Sequence, residues 1–187
     1  MQIINAAAPA CACENYRMSR HSPGRIVNEE SLVRFVFNPV HLTKQNKIKP
    51  SFFSHVHNRG CSIQRADKLK LEEALSLVTR FLEVREDRVW IGALNGKCAD
   101  VRQTTTLSQL HRACAVYDSA ERQNPAHAEL CQTEFVIDEA DEAQLRFELM
   151  RIFGNNEIIP PSQILEGAIW NKLSAEHQNR SRQGSAI

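Results

Sequence analysis

An apolar run with one charge in its middle, Leu32-Val-Arg-Phe-Val-Phe37, constrains the fold of this chain more than any other segment. The run is rich in β-branched and aromatic residues and ends at Asn38-Pro39, which predicts a strand. Side chains alternate across a strand, so Arg34 lies on a face that is otherwise apolar. A charge in such a place demands a partner. The chain must therefore build a sheet around this strand and satisfy Arg34 within it.

Helical periodicity predicts the elements that cover this sheet. The clearest helix follows Asp67, a plausible N-cap, and its apolar stripe consists of Leu71, Ala74, Leu75, Val78 and Leu82. Further helices are predicted over 139–153, between Asp138 and Gly154, and over 162–177. Because helices and strands are mixed without a βαβ rhythm, we expect the α+β class. The prediction is a single compact domain with a mixed or antiparallel sheet and three to four helices.

Shorter signals predict the remaining strands and connections. Asn-Gly between two apolar runs is typical of a hairpin, so residues 88–94 are predicted to turn at Asn95-Gly96 into a return strand at 98–102. A short helix is predicted over 107–113. Other short strands are predicted at 61–65, 113–117 and 129–137.

The 187 residues suffice for one ordinary domain with short tails. We predict a flexible N-terminal arm at 1–28, the domain at 29–177 and a disordered tail at 178–187. No apolar run approaches the roughly 20 residues of a membrane span, and the first residues lack a basic segment typical of a secretory signal. The six cysteines are spread over a chain large enough to form its own core, so we expect reduced thiols and a cytoplasmic protein.

The net charge of +1 hides a strong local imbalance. Residues 34–70 contain eight Lys and Arg against one Asp, together with three histidines, whereas acidic residues gather around 134–148. A local excess of positive charge favours an anion site, so we predict a basic pocket for a phosphate-bearing ligand, either nucleic acid or a nucleotide. A solvated mixed surface, or packing of the two segments on each other, explains the same imbalance.

The basic stretch also contains the residue types needed to cleave a phosphodiester without a metal, namely a base, an acid and cations. In this hypothesis His41 and His127 exchange protons and Ser51 orients the phosphate. The predicted ligand-binding residues are Arg34, Lys49, Arg65 and Asn124. Asp118 lies near His127 in the chain and could set its tautomer, although a hydrogen bond from His127 to the backbone is the simpler alternative.

No metal site or cofactor is predicted. Cys11-x-Cys13 with His21, and His55-x-His57-x3-Cys61, have zinc ligand types but form incomplete sets, which leaves zinc as an alternative. Nucleotide-binding glycine motifs are absent. A minor alternative is an ADP-ribosyltransferase-like enzyme. Such enzymes often use an Arg on an early strand and a Gln/Glu-x-Glu pair on a late strand, and Arg34 with Gln132-Thr-Glu134 fits that pattern.

The residues singled out form a pattern: Leu32-Val-Arg34, Pro39-x-His41, Lys49-Pro-Ser51-Phe52, Ser62-x-x-Arg65 and Asn124-Pro-Ala-His127-Ala. This pattern resembles a group of small, functionally uncharacterised bacterial proteins over roughly residues 30–130. The resemblance implies a cytoplasmic bacterial protein. It coincides with the two candidate clusters, which favours a pocket in which Arg34, His41, Ser51, Arg65 and His127 meet. The rival hypothesis is a non-enzymatic accessory protein of a bacterial defence, toxin–antitoxin or regulatory complex, which docks a protein partner through its charged segments.

Overall fold

The predicted central strand lies inside a five-stranded sheet. The computed structural model describes residues 14, 19–84, 87–107, 110–154 and 157–165. The strands are β1 (Ser31–Asn38), β2 (Cys61–Arg65), β3 (Val89–Lys97), β4 (Cys114–Asp118) and β5 (His127–Gln132). Their order in the sheet is β3-β1-β2-β5-β4, and every neighbouring pair is antiparallel. The single α+β domain predicted from the sequence is confirmed.

Helices cover both faces of the sheet. They are α1 (Leu71–Glu83), α2 (Cys98–Arg102), α3 (Glu139–Gly154) and α4 (Pro161–Leu165), with 3-10 helices at Pro50–His57 and Ala66–Lys68. On one face Leu32 and Val36 share a core with Leu145 of α3. On the other face Val33 shares a core with Val78 of α1. No helix in the described ranges is long and apolar enough to cross a membrane.

Helix α3 matches its prediction, whereas α1 begins later than predicted. Asp138 accepts a hydrogen bond from the Asp141 amide at 2.9 Å, as an N-cap should. Asp67 instead lies in the short 3-10 helix, and α1 begins at Leu71. The buried face of α1 also includes Leu77, while Leu75 is exposed, so the apolar stripe is rotated from the predicted one.

The predicted hairpin at Asn95-Gly96 is wrong. Both residues lie inside β3, and the predicted return strand at 98–102 is helix α2. A Cβ on Gly96 would lie 2.9 Å from a side-chain carbon of Ile152 and 3.1 Å from the ring of Phe153. This glycine therefore permits close packing of β3 against α3, and it does not form a turn. Around the predicted helix 107–113 the described residues form an isolated bridge between Thr105 and Arg112.

The described part of the N-terminal arm is tied to the domain. Ile26 is buried in the core, and Ser22 donates a hydrogen bond to Asp118. The Glu14 carboxylate pairs with Arg102 and Arg112, and it accepts the amide of Val116 on the outer strand β4. A side chain of the arm thus bonds an edge amide of the sheet. Residues 166–187, with most of the predicted last helix and the tail, lie outside the described residues.

The opposite edge of the sheet is covered by Ile159, which exchanges two backbone hydrogen bonds with Ala93 of β3, at 3.0 and 2.9 Å between N and O. This close approach depends on Gly92, whose φ is +135°. A Cβ at Gly92 would lie 2.0 Å from the carbonyl oxygen of Ile159. The bridge therefore requires glycine at this position, for both backbone conformation and space.

We expect Gly92→Ala to lower the free energy of unfolding by about 2–4 kcal/mol, because it strains the backbone and displaces the Ile159 bridge. Urea unfolding at pH 7 measures the change. Gly154→Ala is the matched control, since a Cβ there meets nothing within 4 Å. Equal stability of the two variants would contradict the assignment of Gly92.

Candidate anion-binding site

Strands β1 and β2 are paired at one end and separated at the other. Their register contains Leu32 opposite Arg65 and Val33 opposite Gln64, and stops there. Beyond these pairs a cavity of about 280 Å³ opens between the two strands. We call this opening the split. Its lining includes Arg34, Phe37, His41, Ser62, Phe81 and Arg88.

Arg34 spans the split from β1. Its guanidinium donates to the carbonyl oxygen of Ser62 on β2 at 2.6 Å and to that of Phe52 at 2.9 Å. The guanidinium carbon also lies 4.7 Å from the ring centroid of Phe52 and 5.5 Å from that of Phe53, within the range of a cation–π contact. The partners that the sequence demanded for Arg34 are therefore carbonyl oxygens and aromatic rings.

These partners leave the charge of Arg34 uncompensated. Within the described part of the chain no carboxylate lies at ion-pair distance from its guanidinium, and its Nε is buried without a hydrogen-bond partner. Burial lowers the pKa of Arg34 from its usual range, an effect that nearby Cys61 partly opposes. Among the described residues, two arginines and no acidic residue line the split. The charged side chains among these lining residues are therefore positive.

His41 lies at the same cavity in its neutral form. The amide of Phe37 donates to Nδ1 of His41 at 3.0 Å, and the amide of His41 donates back to the Phe37 carbonyl at 2.8 Å. Burial, followed by the positive charges of Arg34, Arg88 and Lys49, lowers the pKa of His41 to about 4. Because Nδ1 accepts a hydrogen bond, the proton of the neutral ring is on Nε2. His41 therefore offers an N–H donor and no charge at neutral pH.

Lys49 and Ser51 were predicted to hold and orient a phosphate. The Lys49 ammonium donates to the carbonyl oxygen of Pro39 at 2.6 Å and adds to the positive field at His41. Ser51 is exposed on the first 3-10 helix. Neither side chain lines the split.

Arg65 is a structural residue. It is 1% exposed, and its Nε and one terminal nitrogen each lie 2.7 Å from a carboxylate oxygen of Glu30. Its other terminal nitrogen bonds the Gly24 carbonyl at 2.6 Å and lies 3.3 Å from Asp118. With two carboxylates and the arm as partners, Arg65 is not placed to hold a phosphate in the split, which corrects the sequence-based expectation.

His127 and Asn124 lie elsewhere as well. The Nδ1 of His127 is 2.8 Å from the hydroxyl of Ser119, and the predicted Asp118–His127 pair is not formed, because Asp118 bonds Arg65 and Ser22. Asn124 is buried, and its backbone closes a tight turn with Glu121. The side-chain oxygen of Asn124 has no hydrogen-bond partner in the described part of the chain, and neither residue lines the split.

The predicted convergence of Arg34, His41, Ser51, Arg65 and His127 is therefore corrected: only the first two of them line the split. Sequence reasoning missed Arg88 and Phe81. Arg88 lies outside the basic stretch at 34–70. Phe81 lies outside the predicted apolar stripe of α1. A large aromatic residue at such a position is the sequence signal that could have marked it as part of a site.

The arrangement of the described residues supports neither of the alternatives, zinc binding or ADP-ribosyl transfer. Among the described residues no three His, Cys, Asp or Glu side chains converge so as to hold a metal ion, while Cys11 and Cys13 lie outside those residues. Gln132 accepts from Nδ1 of His57 at 2.6 Å and does not face the split. Comparison of the chain with protein-family models, with curated proteins and with solved structures finds no match.

The lowered pKa of His41 predicts a specific loss of stability in acid. Unfolding returns His41 to its ordinary pKa of 6.5, so between pH 6.5 and 4 the unfolded chain binds more protons than the folded one. This contribution to stability is fully present above pH 6.5 and is lost as the pH falls towards 4. Between pH 7 and 5 we expect it to fall by about 1–2 kcal/mol.

Urea unfolding of the wild type and of His41→Asn at several pH values isolates this contribution. Asparagine keeps an acceptor for the Phe37 amide and does not titrate. The wild type should lose more stability than the variant between pH 7 and 5. Parallel stability curves would show that His41 titrates normally in the folded protein.

Proposed function

We propose that the split between β1 and β2 binds the phosphate group of a small phosphate-bearing ligand. The observation that carries this proposal is the half-buried guanidinium of Arg34, which has no carboxylate partner among the described residues. A buried cation without a counter-charge is costly, and an anion in the cavity would offset that cost. Arg88 lines the same cavity and adds a second positive charge.

The donors are preorganised for this task. Carbonyl bonds to Ser62 and Phe52 fix the guanidinium of Arg34, so binding orders little that is not already ordered. An arginine has five N–H donors, and the two carbonyl bonds leave others for an anion. Neutral His41 supplies an N–H at Nε2 without adding a charge that depends on pH near neutrality.

The dimensions of the split favour a small ligand over a nucleic-acid strand. Its volume of about 280 Å³ is near the lower end of the range for small-molecule pockets. The proposal is also confined to binding. Cleavage by the predicted pair would require His41 and His127 at one phosphate, and His127 bonds Ser119 away from the split.

Titration with inorganic phosphate and pyrophosphate, followed by calorimetry and by amide chemical shifts, tests this function. We expect saturable binding that weakens with added salt. Arg34→Met and Arg88→Met should each weaken it roughly 10-fold or more, as expected for loss of a charge-assisted contact. Arg88→Met is the cleaner variant, because no hydrogen bond of Arg88 to β2 is broken.

The control for these variants is Arg151→Met, which removes an exposed arginine of α3 that pairs with Glu148. It removes the same charge from an exposed position that does not line the split. The proposal fails if neither anion binds the wild type, or if Arg151→Met weakens binding as much as Arg88→Met does.

A separate surface favours a second candidate function, docking of a protein partner. Around the start of α3 and the loop before β4 lie exposed apolar side chains with acidic neighbours: Leu107, Leu110, Phe135 and Ile137, beside Glu134, Asp138 and Glu139. Leu110 is 66% exposed and has a φ of +54°, a costly conformation for a leucine. His111 stacks on Phe135 at 4.4 Å between ring centroids and joins the two segments. We infer that this surface fits a basic amphipathic segment of a partner protein.

Binding of a synthetic Leu/Lys amphipathic peptide, measured by fluorescence anisotropy, tests the docking surface. Leu110→Lys should weaken this binding about 10-fold, because it removes an apolar contact and adds a repulsive charge. Val84→Lys, at an exposed apolar position just after α1, should leave it unchanged. Equal affinities of the two variants, or equal binding of a Leu/Glu peptide, would contradict this assignment.

A further inference from the structure

The wall of the split that faces α1 is apolar and exposed. Phe81 is 45% exposed and Val40 is 38% exposed, and both line the cavity together with Arg34 and Arg88. Phe37 lies behind Phe81, with 5.4 Å between the ring centroids. One cavity therefore offers positive charge on one side and an aromatic surface on the other.

The position of Phe81 explains why this ring is uncovered. Phe81 follows Leu77 by four residues and Val78 by three, so it continues the buried face of α1. Leu77 and Val78 are buried in the core on that side of the sheet, whereas Phe81 lies over the split, where β1 and β2 no longer pair. A helix face that packs on a closed sheet would have buried this ring.

We propose that the ligand is a phosphate monoester that carries an aromatic ring, as a nucleoside monophosphate does. This inference rests on the proposed phosphate site. The phosphate binds at Arg34 and Arg88, and the ring packs on Phe81, with Val40 beside it. Stacking of a base on an aromatic side chain is tolerant of base identity, so the site selects for a planar ring and not for one particular base.

Calorimetric titration of the full chain with four probes tests the inference: inorganic phosphate, ribose 5-phosphate, phenyl phosphate and adenosine monophosphate. The two aromatic probes should bind roughly 10-fold or more tightly than ribose 5-phosphate. Phe81→Ala should abolish this difference, because the aromatic probes lose the ring on which they pack. Phe147→Ala, which truncates an exposed phenylalanine of α3, is the control and should behave as the wild type does.

The outcomes separate the two proposals. Equal affinity for ribose 5-phosphate and the aromatic probes, or an aromatic advantage that survives Phe81→Ala, overturns the inference while the phosphate site stands. Absence of binding by every phosphate-bearing probe overturns the proposed function and the inference with it. Adenosine, titrated as a fifth probe without a phosphate, overturns the inference that the phosphate anchors the ligand if it binds as tightly as adenosine monophosphate. Thermal unfolding of both phenylalanine variants confirms that each is folded when titrated.

Discussion

The buried guanidinium of Arg65 is the interaction on which the rest of the structure depends. It joins the end of β2 to Glu30 just before β1, to Asp118 at the end of β4, and to the backbone of the arm at Gly24. Removal of one partner from such a network leaves buried charges unpaired, which typically costs about 3–5 kcal/mol. Leu32 of β1 pairs with Arg65 itself, so this network also fixes the end at which β1 and β2 remain together. The split opens at the other end.

Arg34 and Arg65 show how the same residue type acquires opposite roles. Arg65 has two carboxylate partners and is neutralised inside the fold. Arg34 has carbonyl oxygens and aromatic rings as partners, so its charge acts on the adjacent cavity and helps to keep His41 neutral. The net charge of +1 does not report this difference, because the acidic residues that balance the sum lie elsewhere on the chain.

Local patterns predicted those parts of the molecule that are fixed by local interactions. The strand around Arg34 and the helix that begins after Asp138 follow from alternation, periodicity and a cap, and the structure confirms both. Gly96 shows the limit, because its role depends on α3, which follows it by more than forty residues. The candidate site divides in the same way. Arg34 lies within β1 and His41 follows the end of the same strand, whereas the role of Arg65 is set by Glu30 and Asp118, which no local signal connects to it.

Contacts of Arg34 and His41 occupy backbone groups of β1 and β2 at the split, so the two strands do not pair there. If the ladder continued, Arg34 would stand opposite Ile63 and Phe35 opposite Ser62. Instead, the Ser62 carbonyl accepts a hydrogen bond from the Arg34 guanidinium. The amide of Phe37 donates to the His41 ring, and the carbonyl of Phe37 accepts from the His41 amide. At the outer strands Glu14 bonds a β4 amide and Ile159 bonds β3. Among the described residues, backbone groups of both outer strands are therefore hydrogen-bonded to other parts of the protein, whereas the inner strands β1 and β2 are separated at the split. Closing it would require the Ser62 carbonyl to give up its bond to the Arg34 guanidinium, which would leave a donor of that guanidinium without its partner.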